Sequence, residues 1–105
     1  MIARVWSGAT LASDADEYLE YLEHTGLAEY AETPGHQRTI TMRRIVDGRA
    51  EFVILTLWDS MEAVRAFAGA DPERAVFYPE DDRFLVSRGE HVTHFDVVDL
   101  QPDSR

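Results

Sequence analysis

The chain has 105 residues, with ten arginines, no lysine, no cysteine and twenty aspartates plus glutamates, giving a formal net charge of −10. That length fits one domain with a real core, and the charge argues against a nucleic-acid partner, whose phosphates reward clustered Lys and Arg. Without cysteine there is no disulfide, thiol nucleophile or Cys-held metal, and without lysine there is no protein Schiff base.

The N-terminal MIARVWSGAT has no basic region leading into a long apolar run, so no secretory signal is expected. The longest apolar run is Phe52 to Leu55, or Phe52 to Trp58 if Thr56 is allowed, short of the roughly 20 residues of a membrane helix. The expectation is a cytoplasmic protein with no membrane partner. Arg in place of Lys, with abundant Ala, is the bias of a GC-rich bacterial genome. Charge is uneven along the chain: net −6 over residues 1–35, +3 over 36–49 and −7 over 50–105.

Ile2 to Trp6 reads as a first strand. Ser13 before Asp14, Asp16 and Glu17 reads as a helix N-cap with acids in the first turn, where the helix dipole favours them. Ala15, Tyr18, Leu19 and Leu22 fall at helical spacing, with Asp16, Glu17, Glu20 and Glu23 opposite. That helix is expected to run to about Tyr30, weakened by Gly26 and ended by Thr33-Pro34-Gly35. Residues 37–46 and 50–58 read as strands joined by Asp47-Gly48, the best hairpin signal in the chain.

The second of these strands is apolar on both faces, so both should be covered. Asp59 or Ser60 caps a second helix, with Asp59 and Glu62 at capping-box spacing and Met61, Val64, Phe67 and Ala68 as its buried stripe. Asp71-Pro72 is expected to open a further short helix that Tyr78-Pro79 stops. Residues 80–90 read as an acidic loop carrying Phe84-Leu85-Val86, His91 to Val98 as the last strand, and 101–105 as a loose tail after a single domain over 1–100.

This order is β-α-β-β-α-β, the α+β ferredoxin-like arrangement, with helices on one face of an antiparallel sheet. Within the third strand Phe52, Ile54 and Thr56 alternate with Val53, Leu55 and Leu57, and a lone monomer would leave one set wet. A homodimer through the open sheet face is the expected remedy.

Three segments carry a resemblance. The first is the opening strand, acidic helix and TPG turn (33–35); the second is LTLWDSMEA (55–63); the third is the closing HFDVV (94–98). Together they resemble the antibiotic biosynthesis monooxygenase (ABM) family of the dimeric α+β barrel superfamily, over about residues 2–99. The resemblance implies oxidation of an aromatic or polyketide-type small molecule by dioxygen with no cofactor. A deprotonated phenol itself gives an electron to oxygen, while the protein supplies an apolar pocket, a proton acceptor and hydrogen bonds to the oxyanion. Asn, Trp, Tyr and Arg serve in family members, but this chain has no Asn. The haem-degrading branch uses an Asn on the first strand and a His in the second helical region; here those positions resemble Trp6 and Ala75, Val76 or Phe77, none of which ligates iron. The same fold also hosts two other function classes, a non-oxidative isomerase or cyclase and a non-catalytic binding protein.

The candidate catalytic residues are Tyr78, a phenol able to donate or relay a proton, and His94, a base with a pKa near the working range. Each has a plainer reading, as a helix-end aromatic and as an exposed or interface His. The candidate substrate-binding residues are Arg4, Trp6, Trp58, Phe67 and Arg83. Arg4 is an oxyanion partner or a salt bridge to the acidic helix, and Trp6 is a pocket wall or core residue. Trp58 plugs the sheet end or lines the pocket; Phe67 packs the core where some family members carry a catalytic Trp. Arg83 sits in YPEDDRFL (78–85), expected to form a lid, with Glu80, Asp81 and Asp82 as a solvated run. His91 and His94, three apart on a strand, face opposite ways, and with His36 they make no metal site. The basic Arg38 and Met42 to Arg44 are expected to match the acidic helix or a partner subunit.

Overall fold

The computed structural model describes residues 1–89 and 92–101. Strand β1 (Ile2–Leu11) leads through a 3₁₀ turn (Ala12–Asp14) into helices α1 (Ala15–His24) and α2 (Gly26–Glu32). Strands β2 (His36–Val46) and β3 (Arg49–Trp58) follow, then α3 (Met61–Ala68), a one-turn α4 (Asp81–Phe84), β4 (Leu85–Arg88) and β5 (Thr93–Asp96). The sheet order is β2-β3-β1-β4, with β5 also on β1 and every pairing antiparallel. β4 meets β1 at Gly8 to Thr10 and β5 meets it at Ile2 to Val5, so the two lie end to end along one edge. The molecule is therefore the expected α+β ferredoxin-like fold with its last strand in two pieces.

Asp47 (φ 51°) and Gly48 (φ 76°) turn the β2–β3 hairpin, both in the left-handed region that a two-residue type I′ turn requires. Ser60 is the N-cap of α3, its hydroxyl accepting from the Ala63 amide at 3.2 Å. Asp59 instead takes a side-chain hydrogen bond from Gln37.

Several expectations need correction. β1 runs five residues beyond Trp6, through Ser7-Gly8-Ala9-Thr10-Leu11, because ladders on both sides outweigh the weak strand propensity of Gly and Ala. Ser13 lies inside the 3₁₀ turn and caps nothing; Asp14 holds the N-cap position of α1 with no side-chain bond. The acidic helix breaks at Thr25, one residue before Gly26, where the Thr25 hydroxyl bonds back to the Tyr21 carbonyl at 2.9 Å.

No helix begins at Asp71-Pro72. The carbonyls that would accept helical bonds are taken by other partners: Pro72 and Arg74 by the Arg4 guanidinium, Glu73 by the Val92 amide. The Tyr78 amide, a helical donor in that scheme, binds Asp81 Oδ2 at 2.6 Å. The expected acidic loop is instead α4 and β4, nucleated by buried Asp81, Phe84 and Leu85. The last strand is shorter than expected, Thr93–Asp96; His91 and residues 102–105 of the tail lie outside the described residues.

Helices cover the sheet face that carries Trp6, Phe52, Ile54 and Thr56. Tyr18 packs edge-on against Phe52 (5.1 Å between centroids) and against Phe84 (5.4 Å). The other face keeps Ile40, Met42, Val46 and Phe95 exposed beside half-buried Val5, Val53 and Leu55. Arg43 of β2 pairs with Asp16 of α1 at 2.8 Å and Arg44 with Glu51 of β3 at 2.5 Å, so two of the basic β2 side chains meet acids of the same chain.

Gly48→Ala should cost about 1–2 kcal/mol, since an L side chain is strained in the left-handed region. Ser60→Ala should cost about 1 kcal/mol through the lost cap. The two sites lie at opposite ends of β3, so urea unfolding of the double variant should return the sum within about 0.5 kcal/mol.

Candidate functional site

β1 starts the site. Its helix-side residues Arg4 and Trp6 face inward, in register with Thr56 and Ile54 of β3. Gly8 follows, and the Trp6 indole lies across it: a Cβ there would meet Trp6 Cη2 at 2.6 Å. Tyr18 and Leu22 of α1, then Gly26 and Tyr30 of α2, form the roof. Val76, Tyr78 and Asp81 close one side and Val92 another. Between them lies a cavity of about 30 Å³, room for one or two waters. In this closed form it admits neither a polycyclic phenol nor a macrocycle. A larger ligand enters only by moving α2 or the irregular segment 71–80 away from the sheet.

The polar groups are few. Arg4 is 3 % exposed, and its guanidinium donates to the carbonyls of Pro72 (3.3 Å) and Arg74 (3.2 Å). It also lies 5.7 Å from the Phe67 ring centre. Among the described residues it makes no ion pair with the acidic helix. Burial lowers its pKa from the ordinary arginine value, with nearby Tyr30 opposing; a guanidinium is so strong a base that the group stays cationic at neutral pH. Trp6 Nε1 and His94 Nε2 are both buried without a hydrogen-bond partner among the described residues.

Tyr78 donates its hydroxyl proton to Glu29 Oε2 at 2.6 Å, tying the irregular segment to α2. Burial, then the Glu29 hydrogen bond, drive its pKa far above the ordinary phenol value, so it remains a protonated donor. Burial likewise raises Tyr18 and Tyr30. Asp81 is 4 % exposed, not solvated as expected, and burial raises its pKa against the opposing bond from the Tyr78 amide.

The structure thus brings Arg4, Trp6 and Tyr78 to one cavity. His94 is next to it rather than in its lining: on β5 it stands opposite Arg4 in register. Trp58 and Phe67 do not line the cavity; they form an adjoining aromatic cluster that shares Tyr30 with it. Trp58 is fully buried and donates Nε1–H to Thr56 Oγ1 at 2.8 Å. Its ring packs with Tyr30, Phe67 and His36, and Phe67 stands 4.7 Å from Tyr30. Arg83 lies outside, pairing with Glu17 (2.6 Å) and Glu80 (3.3 Å) and stacking 4.4 Å over Phe84. Among the described residues no cluster of three metal-ligating side chains forms, and His36 bonds Thr39 Oγ1 at 2.7 Å.

Sequence reasoning missed Glu29 and Tyr30 as site residues and the buried Asp81. Tyr30 sits past the Thr25 break, where the helical stripe of Tyr18 and Leu22 no longer predicts a direction. Asp81 was hidden between two acids that are solvated, Glu80 and Asp82.

Comparison with solved structures gives 13% identity and a TM-score of 0.68 to a candidate antibiotic biosynthesis monooxygenase from Bacillus cereus, over 97% of each chain. SnoaB from Streptomyces nogalater, a cofactor-independent oxygenase, matches at 16% identity and a TM-score of 0.62, over 97% of this chain and 98% of its own. The chain has the ABM fold. MhuD, a heme-degrader from Mycobacterium tuberculosis solved with two hemes in its active site, matches at 21% identity and a TM-score of 0.58, over 96% of this chain and all of its own. No family model matches the chain, and no curated protein matches it. Among the described residues the donor set does not fit haem: the cavity lining holds no His, Cys or Met, and burial raises the pKa of its three phenols.

Burial lowers the pKa of both His94 and His36, with Arg4 adding to the effect at His94. A folded pKa below the unfolded 6.5 means stability present above pH 6.5 and lost as pH falls through the folded values. Asp81 works the other way: its raised folded pKa makes protonation favour the native state, offsetting part of that loss at lower pH. The melting temperature should fall as pH is lowered from 6.5, and His94→Gln should flatten that slope. A His94 ring titrating at or above 6.5 by NMR contradicts it.

Proposed function

We propose that this chain is a cofactor-independent monooxygenase that acts on an ionisable aromatic or polyketide-type small molecule, as a homodimer. One observation carries the reading. A buried cation, an unpartnered indole N–H, the Asp81 carboxyl and a Tyr–Glu hydrogen bond converge on a small cavity walled mainly by apolar and aromatic side chains. The fold shared with a cofactor-independent oxygenase supports it.

The chemistry needs a phenol with an open ring position. Its hydroxyl gives its proton to Tyr78 Oη as Tyr78 passes its own to Glu29 Oε2, which moves the charge toward the surface. The phenolate transfers one electron to dioxygen; the resulting radical and superoxide combine as a ring peroxide anion, which takes the proton back from Glu29 through Tyr78 and becomes the hydroperoxide. Loss of water then leaves a quinone, so one oxygen atom stays on carbon and the other leaves as water. Tyr78, now carrying the proton it received, hydrogen-bonds the phenolate oxygen as charge develops. His94, kept neutral, adds no second positive charge beside Arg4.

The homodimer is supported by the open sheet face, where Ile40, Met42, Val46 and Phe95 are exposed among the described residues. A second copy laid on this face buries the same residues twice. Native mass spectrometry should give a dimer, and Leu55→Arg, placing a charge mid-face, should give a folded monomer.

Oxygen uptake with 1-naphthol and related polycyclic phenols tests the activity. One water and one quinone should form per dioxygen, with Tyr78→Phe lowering kcat about 100-fold or more. Turnover that persists without oxygen points to an isomerase or cyclase on the same residues. Saturable binding without turnover points to a binding protein.

A further inference from the structure

The buried guanidinium of Arg4 has no ion-pair partner among the described residues. All five ion pairs among the described residues lie on half-exposed or exposed side chains, whereas Arg4, at 3 % exposure, has only two neutral carbonyls. A cation taken out of water without a counter-charge is costly, and two hydrogen bonds of 3.2–3.3 Å offset part of that cost. Two residues along the same face, Trp6 is 9 % exposed and its indole N–H has no acceptor among the described residues. Both side chains line the same small cavity. Nearby Asp81 has one oxygen committed to the Tyr78 amide, and Glu29 is held by the Tyr78 hydroxyl, so neither serves as the counter-ion.

A site that offers a guanidinium and an indole N–H, walled by Tyr18, Tyr30, Ile54 and Val76, asks for an anionic oxygen attached to an apolar ring. We propose that Arg4 and Trp6 form a carboxylate subsite, and that the ligand of this cavity is an aromatic acid. The cavity of about 30 Å³ takes the carboxylate head, and the ring enters by displacing Val76. The guanidinium, with three N–H groups beyond those given to Pro72 and Arg74, grips one carboxylate oxygen, and the Trp6 N–H grips the other. This assignment uses the cavity of the proposed function but none of its oxygen chemistry, so either can fail alone.

The test compares benzoate with neutral benzamide at pH 7 by calorimetry and by the indole N–H signals of Trp6 and Trp58 in NMR. Benzoate should bind at least tenfold more tightly, and should shift the Trp6 N–H signal while leaving that of Trp58, already bonded to Thr56, unmoved. Trp6→Phe removes the donor and part of the ring, so benzamide is the control for the lost volume: benzoate should weaken several-fold more than benzamide. Arg4→Met should bring benzoate down to the benzamide level. If Arg4→Met does not fold, the Trp6→Phe comparison and the Trp6 signal of the wild-type protein still decide. Equal affinity for the two probes, a Trp6 signal that does not move, or no benzoate binding at all overturns the subsite. Each result is read without substrate or turnover, so a failed oxygenase assay leaves it standing.

Discussion

The Arg4 guanidinium, reaching from the central strand to the carbonyls of Pro72 and Arg74, is the contact on which the site depends. A charged donor competes well for backbone acceptors because its hydrogen bonds are stronger than neutral ones. Here it takes two carbonyls that a helix would have used, and the segment after α3 stays irregular. That irregular path carries Val76 and Tyr78 to the edge of α2 and aligns the Tyr78 amide with Asp81. One side chain on β1 thus anchors the far wall of the cavity it lines.

A second constraint comes from the break at Thr25. Were the acidic helix continuous, Tyr30 and Glu29 would follow the direction set by Tyr18 and Leu22. The break reorients α2 so that Tyr30 turns toward the sheet and Glu29 meets Tyr78. Gly26 sits at the closest approach, where an added Cβ would lie 3.6 Å from the Tyr78 ring. The Glu29–Tyr78 bond then joins two elements that nothing else in the sequence links. Because Glu29 is exposed, the same bond connects the cavity to solvent.

How far the sequence could be read depended on whether a feature was local. Asp47-Gly48 had to be a turn, because few residue pairs adopt left-handed angles so readily. Ser60 at the head of an amphipathic run had to be near a cap. Alternating Phe52, Ile54 and Thr56 had to face one layer, since strand geometry allows nothing else. The largest failure, at Asp71-Pro72, came where a distant group claimed a backbone bond. Pro72 is well suited to the first turn of a helix, yet Arg4, 68 residues away in sequence, took its carbonyl. Asp81 looked like its solvated neighbours until the Tyr78 amide turned it inward.

The site divides along the same line. By itself the sequence determined the ferredoxin-like order, the sheet face that must be covered, and the residue types available for chemistry: arginine, tryptophan, tyrosine and histidine, with no cysteine, lysine or asparagine. These follow from periodicity, turn chemistry and composition, which act over a few residues. Only the tertiary structure decided which of them meet. It brought Arg4, Trp6 and Tyr78 to one cavity, set Trp58 and Phe67 in an adjoining aromatic cluster, left Arg83 on the surface, and added Glu29 and Asp81. The reason is that a buried polar group is satisfied by whatever partner the packed chain delivers, and sequence spacing does not record that partner.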